Sequence, residues 1–227
     1  DVEFGHVFSP LTDHRLTWGT HYRHVSDELG FPNPFVLTFA PASRRADLIS
    51  AFIQDEVTLI DDILTFTIGS KFEHNDYTGF EYQPTARLLW SIDERQVAWG
   101  AVSRAVRTPA RFDDDVRLTF ASLSPVPPPV TMTVFGNRNV RSEELVAFEV
   151  GYRAQPSEQF SWDMATFFNV YTDLIDQSTG APILPPPHMV FPRSRDNGVN
   201  GETYGVELAA RYDMTSDWTL HGSYTFL

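Results

Sequence analysis

The sequence predicts an all-β protein: part of an antiparallel, up-and-down transmembrane β-barrel, about ten strands of a larger cylinder. Three observations carry that expectation. Segment after segment alternates apolar with polar or small residues at a period of two, which gives each strand one apolar face. The alternating segments run to about ten residues, where a soluble strand has roughly five or six and a tilted strand crossing a bilayer needs roughly nine to eleven. The connections alternate between short and longer ones, with turns at one end of the wall and long loops at the other, as outer-membrane barrels require.

The pattern is cleanest at 46–90. There Leu64, Phe66, Ile68, Ser70 and Phe72 alternate with Thr65, Thr67, Gly69, Lys71 and Glu73. A few residues around Asp61 and Asp62 join this strand to the preceding one at 47–59, making a tight hairpin. Upstream, 2–8 puts Val2, Phe4, His6 and Phe8 on one face, and a turn at 9–13 leads to a strand at 14–23. That strand sets Leu16, Trp18, Thr20 and Tyr22 against Arg15, Thr17, Gly19, His21 and Arg23. A loop at 24–45 with Gly30, Pro32, Pro34 and Pro41 follows.

Beyond a modest loop at 74–79, strands are expected at 81–92 and 96–107, joined at Asp93 and Glu94. A long loop at 108–142 holds the run Pro125, Val126, Pro127, Pro128 and Pro129. Strands at 143–153 and 160–171 come next, then a long loop at 172–201, then strands at 202–212 and 218–226. The proline runs favour extended polyproline II segments. No amphipathic helix is expected. Trp90, Trp162, Tyr212 and Trp218 fall near short turns, and Tyr22, Phe72 and Tyr204 near long loops, at the two levels where interfacial aromatic girdles belong.

Alternation also fits a soluble all-β domain with one wet face. Strand length, connection parity and apolar faces too large for a monomeric soluble surface favour the barrel. Composition agrees. The 227 residues carry 17 Lys and Arg against 30 Asp and Glu, a net charge of -13, which argues against a nucleic-acid partner. Cysteine is absent, so neither a disulfide framework nor a thiolate metal site is available. Aromatic residues make up 14% of the chain, yet no apolar run approaches the roughly twenty residues of a membrane helix. No leader segment is visible, and both ends fall inside strands, so the chain reads as a piece of a longer protein.

Several stretches resemble the barrel domain of TonB-dependent outer-membrane receptors. They include Ala51-Phe52-Ile53-Gln54-Asp55-Glu56 with Leu59, the strand from Leu64 through Glu73, Gln83-Pro84-Thr85-Ala86-Arg87-Leu88-Leu89-Trp90, and Trp99 with Ser103-Arg104-Ala105-Val106-Arg107-Thr108-Pro109. Later come Glu143-Glu144-Leu145, Phe148-Glu149-Val150-Gly151-Tyr152-Arg153 and Gly201-Glu202-Thr203-Tyr204-Gly205-Val206-Glu207-Leu208. The resemblance covers nearly the whole chain. It implies a barrel of about twenty-two strands with a plugged lumen, in a bacterial outer membrane. It also implies import of a scarce ligand, most often a ferric siderophore, driven by an inner-membrane energy-coupling protein acting through a plug and a short N-terminal box. Residues 1–227 then belong to the barrel alone, without plug or box, and the two terminal strands are expected to carry unpaired edges.

Candidate chemistry is sparse. No GxSxG, HExxH, P-loop or GxGxxG is present, so no catalytic residues, cofactor or metal are assigned. Asp113, Asp114 and Asp115 could hold a hard cation, but no spaced ligand set accompanies them and a solvated acidic loop is the plainer reading. Arg104, Arg107 and Arg111 cluster where a strand meets a long loop, which suits recognition of an anionic chelate. Their alternative role is ion pairing with wall carboxylates such as Glu149 or Glu207. His188, after three prolines, could reach an iron complex or be an ordinary loop residue. The expected partners are an iron chelate or similar small ligand, outer-membrane lipid and the energy-coupling protein. Two other functions fit less of the pattern: a passive outer-membrane channel, and a secreted β-rich enzyme acting on polysaccharide, which needs two carboxylates about 5 to 9.5 Å apart in a cleft.

Overall fold

The computed structural model describes residues 1–31, 33, 35–124, 130–184 and 189–227, the side chains of 120–124 apart. Ten strands form a continuous antiparallel meander. In chain order they are β1 (Val2–Phe8), β2 (His14–Glu28), β4 (Ser43–Ile60), β5 (Leu64–Asn75), β6 (Gly79–Asp93), β7 (Gln96–Arg107), β10 (Glu143–Ser157), β11 (Phe160–Thr179), β12 (Met189–Asp213) and β13 (Thr219–Phe226). Each pairs with the next, and β1 and β13 each pair on one side only, so the sheet is an open wall. The ten strands expected from alternation are all present.

Register sorts the side chains by face. One continuous face runs from Phe4, Thr20, Ala51 and Phe72 to Tyr82, and another row from Leu88, Gly100 and Val150 to Thr166, Val206 and Phe226. Its large apolar side chains lie bare: Ile49 is 60% exposed, Val150 62% and Tyr204 64%. The girdle residues Trp90, Trp162 and Tyr212 stand on this face near the short turns, with Tyr22, Phe72 and Tyr204 toward the other end. Polar pairs interrupt the face, among them His14 Nδ1 lying 2.7 Å from Asp55 Oδ2. The opposite face is polar, with Arg15, Glu56, Thr67, Arg87 and Glu149 successive neighbours across the strands along one stretch of a row that passes through Ala101. A single sheet with one apolar and one polar face leaves no interior of its own; it matches a wall between lipid and a wet lumen.

Aromatic side chains on the polar face sit opposite glycines. Phe52 pairs with Gly19, Trp99 with Gly151 and Phe167 with Gly205. Each ring lies over the bare backbone, and a Cβ built on Gly151 would come 2.4 Å from the Trp99 indole. This pairing of a glycine with a cross-strand ring also pins register.

The long-loop end differs from the sequence reading. Strands β11 and β12 continue far into the expected loop 172–201, reaching 20 and 25 residues. Likewise β2 and β4 extend into 24–45 at its two ends, as far as Glu28 and from Ser43, with a short strand β3 (Leu37–Phe39) between them. These extensions lose apolar alternation because both of their faces lie beyond the apolar band, so period two gave no signal there. Within 108–142 lie a five-residue helix, α1 (Arg111–Asp115), and a hairpin of β8 (Val116–Ser124) with β9 (Val130–Phe135). Strand β9 joins the wall by pairing in parallel with the start of β12, and β8 pairs with β3. The modest loop expected at 74–79 is a three-residue turn. Asn75 Oδ1 accepts the N–H groups of Tyr77 and Thr78, each at 2.9 Å, and Gly79 takes φ +79. Among the described residues, most of the buried apolar ones sit in this end assembly: Val116, Val134, Val140 and Val190. The proline runs at 125–129 and 185–187 lie outside the described residues.

Candidate functional site

The functional candidate is the assembly at the long-loop end, and helix α1 is its centre. Consecutive helical residues diverge by about 100°, so the three aspartates fan outward to different segments. Asp113 accepts from Arg195 of β12, with Nη2 at 2.7 Å. Asp114 and Asp115 both accept from Arg44 Nη1 of β4, each at 2.9 Å. Asp115 also accepts from Arg138 at 2.7 Å, and Arg111 Nε lies 3.8 Å from it. Arg111 pairs in turn with Asp27 of β2. The carboxylates of Asp113, Asp114 and Asp115 are buried. Burial pushes the Asp114 carboxyl above the usual carboxylate range, against the pull of Arg44.

The solvated-loop reading of these aspartates is therefore corrected: they are buried and neutralised by guanidinium groups. The cation reading has no support either, since no group of three or more potential metal ligands occurs among the described residues. The sequence hid this cluster because the guanidinium groups that hydrogen-bond to the aspartates lie 23 to 82 positions from them.

The expected arginine cluster is not a cluster. Arg104 and Arg107 lie three apart on one strand and so face opposite ways. Arg104 stands on the apolar side, bonded to Glu144 with Nη2 at 2.7 Å and stacked 4.4 Å over the Tyr82 ring. Arg107 stands on the polar side as a bidentate partner of Glu143, whose carboxylate also accepts the Ile175 N–H at 2.8 Å. Arg111 is spent in the buried network, with a side chain only 10% exposed. All three form ion pairs, but with Glu144, Glu143 and Asp27 rather than Glu149 or Glu207. His188 lies outside the described residues.

Sequence reasoning missed two arginines that remain open to solvent at this end. Arg138 is 59% exposed beyond its Asp115 contact, and Arg141, paired with Asp173, is 66% exposed. With Arg107, also 59% exposed, they give the rim three accessible guanidinium surfaces. Below them the polar face carries Lys71 on Glu73 at 2.7 Å and Ser142 on Glu81 at 2.6 Å.

A family model described as TonB dependent receptor-like, beta-barrel, matches residues 2–227. The chain belongs to the TonB-dependent receptor family. The iron-regulated outer membrane virulence protein of Vibrio cholerae is 23% identical over 228 residues, covering 97% of this chain and 33% of that protein. The wall superposes on the ferric enterobactin receptor of Pseudomonas aeruginosa with a TM-score of 0.80 at 17% identity, over 99% of this chain and 35% of that one. It also superposes on the siderophore receptor PirA of Acinetobacter baumannii, with a TM-score of 0.74 at 16% identity, over 99% and 35%. The chain thus spans about a third of the length of these relatives. As part of a TonB-dependent receptor barrel it resides in a bacterial outer membrane, its apolar face toward lipid and its polar face toward the lumen. The long-loop end is then the extracellular end, and the short turns are periplasmic.

Proposed function

We propose that this chain is the wall and part of the extracellular rim of a receptor for energy-coupled uptake of an iron chelate, a ferric siderophore by class. The observation that carries the reading is the rim itself, where Arg107, Arg138 and Arg141 present partly exposed guanidinium surfaces above a polar lumenal face. Such groups suit the multiple oxygen acceptors of an anionic chelate. The kinship with siderophore receptors supports the ligand class. The mechanism is binding and release. The rim captures the chelate, and lumenal polar side chains line its route once a plug, moved by an inner-membrane coupling protein, clears the bore.

The test uses the complete receptor in cells and radiolabelled ferric siderophores. Arg107→Gln is expected to weaken binding about tenfold, the effect of losing one hydrogen bond to a charged group. Arg104→Gln, on the lipid side, is expected to leave binding unchanged. Uptake, but not binding, should vanish when the coupling protein is deleted. Equal binding by both variants and wild type would remove the assigned role of Arg107.

A further inference from the structure

We propose that α1 is the hub of an electrostatic clasp that locks the three extracellular loop regions into one rigid body, so that the rim is preformed and its loops do not move independently. The inference rests on the reading that this end meets the ligand only for its purpose; the clasp itself stands on geometry.

Each region contributes charge to the same buried cluster. The 24–45 region supplies Asp27 and Arg44, the 108–142 region supplies Arg111, Asp113, Asp114, Asp115 and Arg138, and the 172–201 region supplies Arg195. Four carboxylates face four guanidinium groups, and each region holds charges whose partners lie in another: Arg195 of 172–201 pairs with Asp113, and Asp27 and Arg44 of 24–45 pair with Arg111 and with Asp114 and Asp115. Withdrawing any one region strands an uncompensated charge among buried partners, which is strongly unfavourable. The three regions are therefore coupled through α1, which carries a partner for each.

Main-chain contacts tie the same three regions. The Ala40 N–H donates to the Asp115 carbonyl at 2.9 Å, and the Asn137 N–H donates to the Asp113 carbonyl at 2.8 Å. Asn137 Nδ2 donates to the Arg195 carbonyl at 3.0 Å. Gly136 presses so closely on α1 that a Cβ there would lie 2.4 Å from the Asp114 carbonyl carbon. A second tie holds the flank: Asn197 Nδ2 donates to the Arg141 and Asp173 carbonyls at 3.0 and 2.6 Å. The contacts are numerous, short and shared, which is what a preorganised capture surface needs to avoid the ordering cost of loop closure.

The experiment measures distances between spin labels in the complete receptor, reconstituted without ligand. Labels go at Ala42→Cys with Thr179→Cys, and at Asn139→Cys with Thr179→Cys; all three sites are exposed, and residues 1–227 contain no native cysteine. Expected for wild type is a single narrow distance for each pair. Expected for Asp113→Asn combined with Asp115→Asn is loss of the narrow distance in both pairs together. Narrow distances that persist in the double variant overturn the clasp, and so does broadening confined to the Asn139 pair, since the regions would then be independent. Barrel assembly is followed by the mobility shift on boiling. The clasp lies beyond the membrane band, so a variant that fails to assemble also overturns the proposal, by showing that the cluster serves the wall. Because no ligand is present, failure here leaves the uptake reading untouched.

Discussion

Val150→Arg is expected to destabilise the barrel by about 2–4 kcal/mol, while Ala147→Arg, three residues earlier on the same strand, costs about 1 kcal/mol or less. The contrast follows from register alone. Val150 lies on the apolar face between Gly100 and Thr166 and is 62% exposed toward lipid. Ala147 lies on the opposite face between Ser103 and Asn169, where a guanidinium meets water and polar neighbours. Both substitutions place the same charged side chain in the same strand, so the introduced group is common to the two and the face it enters differs. Denaturant unfolding of the complete receptor in lipid vesicles reads the difference. Equal costs at the two positions would mean that the faces are not divided between lipid and lumen.

Gly151→Ala is expected to cost about 1–3 kcal/mol, the range for overpacking a filled site. The added methyl would lie 2.4 Å from the Trp99 indole, which rests on Gly151 from the adjacent strand. Trp99 also carries Arg87 over its ring at 4.8 Å, so pushing the indole away disturbs a second contact on the lumenal face. The informative comparison is a double-mutant cycle. In a Trp99→Ala background the three atoms nearest the methyl are gone, and the cost of Gly151→Ala should fall toward zero. An undiminished cost there would place the penalty in backbone conformation rather than in the ring.

The wall was legible in the sequence because the membrane imposes a strict rule on it. A lipid-facing row must be apolar, and period two then shows in residues such as Leu64, Phe66 and Ile68 without any knowledge of partners. Outside the band the rule lapses. The extensions of β11 and β12 through Asp176, Gln177, Arg193 and Arg195 are paired strand beyond register shifts between Tyr171 and Ile175, yet their composition resembles that of a loop. The ion cluster was illegible for a different reason: each buried aspartate is neutralised by a residue distant in sequence, and only the fold brings them together. The opposite placement of Arg104 and Arg107 was legible, since an odd spacing in a strand changes face. The extra exposed cations, Arg138 and Arg141, carry no local pattern that distinguishes them from ordinary loop arginines.

The 25-residue span of β12 has a further consequence. Crossing the hydrocarbon takes roughly eleven residues, and each residue advances about 3.3 Å along the strand. The remainder, even at the usual tilt, lifts the rim on the order of 30 Å above the bilayer. The long-loop end therefore stands clear of the membrane as a turret. A solute can approach from the side as well as from above, and it can be held before it comes near the charged headgroups that would repel or trap it.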